Sequence, residues 1–216
     1  MSKRILVIAN KRYSSWSLRP WLMMEQAGIP FEEKQIFLRK PDSAKKIKVF
    51  SESGRVPVLI EGDIAVWESL AIGEYLAESF PNKNLWPKNK AARAAARAIA
   101  SEMHAGFTAL RTHCPMNCVK QKRGVKLNGE VLSDVARIQE IWRDARKKFG
   151  KEGAFLFGQF SIADAMYAPV VTRFQTYGIP VDMVSRSYME AILSLPAMQE
   201  WIRAAKEEKE IIPDYE

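Results

Sequence analysis

Histidine and cysteine are both scarce: the 216 residues carry two of each. Cys114 and Cys118 stand in Cys-Pro-Met-Asn-Cys. That spacing is one residue wider than a redox Cys-x-x-Cys pair, and no second pair completes a zinc set. His113 beside Cys114, with His104 upstream, is a thin donor set, so no metal is expected and the cysteines read as ordinary thiols of a reducing compartment. Long apolar runs are also missing. A stretch such as Ile5–Ala9 suits a central strand and is far too short to cross a bilayer. Residues 1–30 have no apolar signal core followed by a small-residue cleavage site. A cytoplasmic protein without membrane association is the expectation. The aromatic pairs of RNA-binding sheets and the ligand spacing of zinc fingers are absent as well.

What is present reads as a folded protein, with 47% hydrophobic and 27% charged residues. The length allows one large or two small domains. The net charge of +8 draws anions, whether nucleic acid, membrane surface or small acidic substrates. The positive residues are scattered. The densest runs are Lys45-Lys46-Ile47-Lys48, Lys120-Gln121-Lys122-Arg123 and Arg143 to Lys148. The last two read as solvated faces on or beside helices, and no nucleic-acid partner is expected.

The first third mixes periods. Ile5–Ala9 reads as a buried strand and Ser17–Ala27 as a helix stopped by Gly28-Ile29-Pro30. Phe31–Phe37 alternates weakly as a second strand, and Lys40–Phe50 is a charged loop with a short helix. Val58–Ile60 and Ile64–Val66 flank Glu61-Gly62-Asp63, a hairpin signal. Glu68–Ser79 reads as a helix. After a Pro- and Asn-containing linker the composition shifts. Lys90–Arg111 is Ala-rich and helix-favouring. Gly129–Phe149 places Val131, Leu132, Val135, Ile138, Ile141 and Trp142 at helical spacing. Ser161–Tyr177, Val184–Leu193 and Ala197–Lys206 follow, with no strand-period segment after residue 90 and no internal repeat.

Three short motifs in the first third carry chemistry. Tyr13-Ser14-Ser15-Trp16-Ser17-Leu18-Arg19-Pro20 ends a post-strand loop and opens a helix. A hydroxyl there, Ser17 with Pro20 in the first turn, can simply cap the helix. A hydroxyl aided by the positive helix end can also stabilise a bound thiolate. In Arg55-Val56-Pro57-Val58-Leu59 the residue before proline is extended. If that bond is cis, the turn leaves the Val56 N–H and C=O free to pair with an extended peptide. In Trp67-Glu68-Ser69-Leu70 a helix start and the Ser69 hydroxyl form an anion site, while Glu68 can accept from an ammonium.

In this order the motifs resemble the thioredoxin-like domain of the glutathione transferases, and the serine-rich first motif is similar to the zeta class and its bacterial relatives. The resemblance covers essentially the whole chain. It implies an N-terminal thioredoxin-like α/β domain over residues 1–80, a linker over 81–87 and an all-helical domain over 88–216. It implies glutathione as co-substrate, with Ser14 as catalytic hydroxyl, Ser15 in support and Arg19 adding positive charge. Tyr13 is a rival hydroxyl, since other classes use tyrosine here. Val56 and Pro57 would hold the cysteinyl backbone, and Glu68 and Ser69 the γ-glutamyl end. Arg55 and Lys40 are candidates for the glycyl carboxylate. Trp16 stands where a zeta enzyme typically has cysteine, which removes any chemistry resting on that thiol.

In the second half, Ser161-Ile162-Ala163-Asp164 is a capping box with Asp in place of Glu. It is characteristic of the same family, where it nucleates a buried helix. Arg173 matches a zeta-like arginine of the electrophile pocket and could bind a substrate carboxylate; the alternative is a surface ion pair. Trp16 is the aromatic expected to touch ligand. Three outcomes follow: a transferase using serine to activate the glutathione thiol, a cis-trans isomerase of the maleylacetoacetate type, or a non-catalytic glutathione-binding or scaffold module. A homodimer acting on a small electrophile is expected, as is usual in that family.

Overall fold

The computed structural model describes residues 3–122, 124–151 and 153–216; Arg123, at the end of one basic run, lies outside the described residues. Four strands, β1 (Arg4–Ile8), β2 (Glu32–Gln35), β3 (Val58–Glu61) and β4 (Ile64–Trp67), form one sheet in the order β2-β1-β3-β4. β1 runs parallel to β2 and antiparallel to β3, with Leu6 opposite Leu59 and Val7 opposite Val58. Successive side chains of a strand point to opposite faces. Leu6, Ile8 and Leu59 therefore join the main core, while Val7 and Val58 meet Ile36 and Ile47 on the other face.

Helix α1 (Ser15–Ala27) links the parallel pair, and α2 (Ser43–Lys48) precedes the hairpin. α3 (Ser69–Ser79) follows it. α1 starts two residues earlier than its sequence suggests, because Ser14 and not Ser17 is its cap: the Ser17 N–H donates to Ser14 Oγ at 3.2 Å. The Ser17 hydroxyl instead accepts the Ala9 N–H at 3.0 Å, tying the helix start to the end of β1. Pro20 consequently lies inside the helix. Gly28 closes it with φ 58°, a left-handed conformation that a side chain would disfavour.

From residue 90 the named elements are helical: α4 (Lys90–Ala105), α5 (Thr108–His113), α6 (Gly129–Phe149), α7 (Ile162–Tyr177), α8 (Met183–Leu193) and α9 (Pro196–Glu207). Only isolated bridges within 155–159 interrupt this pattern among the described residues. One expected helix, Lys90–Arg111, is two. Phe107 takes φ 56° after Gly106, and the chain turns before α5. α7 is the hub, buried at every position except Gln175. Its start is a capping box in which Asp164 accepts the Ser161 N–H at 2.8 Å, the Ser161 hydroxyl at 3.0 Å and the Leu156 N–H at 3.0 Å. Where α1, α3 and α7 cross, Gly73 lets the helices approach closely: a Cβ there would stand 3.2 Å from the Ile162 and Met23 side chains, which would have to give by a few tenths of an ångström.

The segment after α9 returns to the first domain. The Glu208 carboxylate accepts the Lys11 N–H at 2.5 Å, the Arg12 N–H at 3.0 Å and Gln35 Nε2 at 2.5 Å. Trp201 Nε1 donates to the Lys11 carbonyl at 2.8 Å. The loop between β1 and α1 is thus held by the far end of the chain.

Candidate active site

The serine loop shows a division of labour. Ser14 Oγ accepts the Ser17 N–H and donates to Ser17 Oγ at 2.9 Å, so its one proton is spent on the helix start. Ser15 Oγ accepts from Arg173 Nη2 at 3.3 Å. Its own proton has no acceptor among the described residues. The Tyr13 hydroxyl donates to Glu216 Oε1 at 2.6 Å. Burial, then that carboxylate, raises the tyrosine above its ordinary value, which makes it a poor partner for a thiolate.

Beside the loop lies a first cavity of about 460 Å³, walled by Trp16, Arg55, Val56, Pro57 and Glu68 with His104 and Arg111 from the helical domain. The Val56–Pro57 bond is cis. Neither backbone polar group of Val56 has a protein partner among the described residues; β3 begins pairing only at Val58. Glu68 takes φ 70° and ψ 124°. A non-glycine residue held there is strained, and such strain concentrates at binding sites. Its carboxylate lies 3.5 Å from His104 Nε2. Burial and the nearby Arg19 lower the His104 pKa, so the contact is that of a neutral ring at pH 7.

Not every expected residue meets this cavity. Ser69 begins α3 beneath it, but its side chain is fully buried and accepts from Arg19 Nη1 at 3.4 Å. The helix start offers backbone N–H groups, with the Ser69 hydroxyl turned inward. Lys40 is exposed and lines neither cavity.

A second cavity, of about 550 Å³, is lined by Tyr13, Ser14, Ser15, Arg111 and Arg173, with Asp214 and Tyr215 among the rest of its wall. Trp16 and Arg111 border both spaces. The Trp16 ring is a partition, gripped by Arg19 at 4.3 Å and Arg111 at 4.7 Å and met edge-on by His104 at 5.2 Å. Arg173 is buried, not a surface ion-pair residue. Burial, then the repulsion of Arg111, lowers Arg173 to about 10, and burial, then Arg111 and Arg173, lowers Arg19 to about 9. All three guanidiniums stay charged at pH 7 and set a positive potential under the serine loop.

Sequence reasoning missed His104 and Arg111. They flank the break between α4 and α5, and only Gly106 hints that the helix stops there. It also missed Asp214 and Tyr215, which reach the cavity from the end of the chain.

Residues 13–79 match the glutathione S-transferase N-terminal domain and residues 93–204 the C-terminal domain. A probable maleylacetoacetate isomerase of Caenorhabditis elegans is 25% identical over 201 residues, 91% of this chain and 92% of that one. Glutathione S-transferase Z1 of Arabidopsis thaliana is 23% identical over 199 residues, 88% and 89% of the two chains. Among solved structures, a glutathione transferase homologue from Burkholderia with bound glutathione superposes with a TM-score of 0.72 at 21% identity, over 95% of this chain and 100% of that one. The two matched domains together leave only residues 1–12, 80–92 and 205–216 uncovered: the chain belongs to the glutathione S-transferase family.

Proposed function

We propose that the protein is a glutathione-dependent transferase that activates the thiol with a serine hydroxyl for attack on a small electrophile. The observation that carries this reading is the free Val56 backbone facing the same cavity as Glu68. An extended peptide pairs with such an edge as an added strand. Glutathione supplies that peptide at its cysteinyl residue. Its ammonium meets Glu68, and its γ-glutamyl carboxylate meets the first N–H groups of α3. Arg55 takes the glycyl carboxylate. The thiol then points along Trp16 toward Ser14 and Ser15. The thiol proton leaves to solvent, and the thiolate forms a C–S bond to the electrophilic carbon bound in the second cavity while that carbon's leaving group departs to solvent with its bonding electron pair. The glutathione domain spans residues 1–80, the helical domain 88–216, and the protein works as a cytoplasmic homodimer.

One observation favours a second reading, the maleylacetoacetate-type isomerase. The second cavity carries two guanidinium groups, Arg111 and Arg173, which suit carboxylates on the substrate. There the thiolate adds to an activated double bond, the bond rotates, and glutathione leaves unchanged.

Calorimetric titration with glutathione tests the core of the reading. Wild type binds between micromolar and millimolar, and Glu68→Gln weakens binding about tenfold, the loss of roughly one charge-assisted hydrogen bond. No binding at millimolar glutathione refutes it.

A further inference from the structure

Two serines face the second cavity, and their hydrogen bonds differ in kind. Ser14 has its one proton committed. It accepts from the Ser17 N–H and gives its proton to Ser17 Oγ, which in turn accepts the Ala9 N–H. Turning that proton toward a ligand gives up its bond to Ser17 Oγ, the same oxygen that ties the end of β1 to the start of α1. Ser15 is poised. Its oxygen already accepts from a cation, and its proton is uncommitted among the described residues. Arg173 is itself fixed: Nη1 donates to the carbonyls of Cys114 and Arg111, which leaves Nη2 for Ser15.

We propose that Ser15 is the hydroxyl that donates to the glutathione thiolate, that Arg173 is its positioning residue, and that Ser14 is a structural helix cap. A hydroxyl whose oxygen accepts from a guanidinium is polarised and donates more strongly. It also carries the positive potential of the arginine cluster to the sulfur. Ser15 keeps its proton throughout; the thiol proton departs to solvent. Arg173 here serves the thiol, whatever the electrophile. This rests on the glutathione reading of the first cavity.

The test measures the pKa of bound glutathione thiol by the ultraviolet absorbance of the thiolate against pH, together with affinity for S-methylglutathione, which has no ionisable sulfur. Ser15→Ala raises the bound-thiol pKa by about one unit or more and leaves S-methylglutathione affinity within about twofold. Ser14→Ala lowers the melting temperature and leaves the bound-thiol pKa in place. Arg173→Gln raises the pKa as Ser15→Ala does, and Arg173→Lys restores part of the shift. If Arg173→Gln does not fold, the two serine variants still decide the matter. A bound-thiol pKa that rises in Ser14→Ala and stays put in Ser15→Ala overturns the assignment. Wild type that binds neither glutathione nor S-methylglutathione overturns the reading of the first cavity and this inference with it.

Discussion

Replacing Asp164 by alanine tests whether one buried carboxylate anchors the helix that carries Arg173. Asp164 is fully buried and receives three hydrogen bonds, two of them from the backbone N–H groups of Leu156 and Ser161. Alanine leaves both N–H groups without an acceptor. At about 1.5 kcal/mol for each orphaned donor, the loss is about 3 kcal/mol. In a chain of this size that lowers the melting temperature by about 6–12 °C. Burial is the main cause that pushes the Asp164 carboxyl up to about 6 from its ordinary 3.8, against its hydrogen-bond donors. The folded state then holds the proton more readily than the unfolded chain between those values. This group's contribution is full below about pH 4 and is lost as pH rises through about 6. Thermal unfolding of wild type and variant at pH 7.5 and pH 5 reads both effects, and comparing the two proteins cancels every other titrating group. The gap between them widens on acidification. A gap near zero at both pH values refutes the anchoring role; a gap that narrows toward pH 5 refutes the dominance of burial over the hydrogen-bond donors around the carboxyl. Arg173 lies nine residues further on, about 14 Å along the helix at 1.5 Å per residue. Activity per folded molecule should therefore change little.

Trp16→Ala merges the two cavities. Glutathione binding persists, bulkier electrophiles are turned over faster relative to small ones, and the fluorescence change on ligand addition shrinks; an unchanged selectivity refutes the partition. His104, held neutral by burial and Arg19, gains charge only at a pH below the ordinary histidine range. Protonated, it pairs with Glu68 in competition with the glutathione ammonium. Affinity for glutathione weakens from pH 7.5 to pH 5.5 in wild type, and His104→Asn flattens that profile in calorimetry. Folded-state protonation is disfavoured relative to the unfolded chain, so His104's stabilising contribution is also lost toward acid. Glu208→Ala strips the acceptor from the Lys11 and Arg12 N–H groups and destabilises by about 2–4 kcal/mol in denaturant titration.

The elements legible in the sequence were those whose signal is local. α6 spans Gly129–Phe149 as its apolar spacing implies, because Asn128 caps it through the Val131 N–H and its stripe needs no distant partner to declare itself. The hairpin and α3 were equally plain. The first cavity draws Trp16, Arg55, Val56, Pro57 and Glu68 from motifs that are contiguous in sequence, so they were readable. The break after α4 was not. Ala-rich propensity runs straight through it, and what bends the chain is tertiary: Arg111 must leave the α4 axis to stack on Trp16 and bond the His104 and Gly106 carbonyls. The cap of α1 was misplaced for a similar reason. Ser14 and Ser17 are both good capping residues, and only the Ala9 N–H, brought close by the strand, assigns Ser17 its other task.

The clasp between Glu208 and the loop at Lys11 and Arg12 joins residues 197 and 196 positions apart. Contacts that distant are among the last to form, since the closure entropy of nearly the whole chain must be met first. On the ribosome the sheet and α1 emerge early, yet the loop that carries the serines lacks its carboxylate anchor until the helical domain has folded back upon it. Completion of the serine loop is therefore a late event. A nascent chain can hold a finished sheet while the serine loop waits for the segment that carries Glu208.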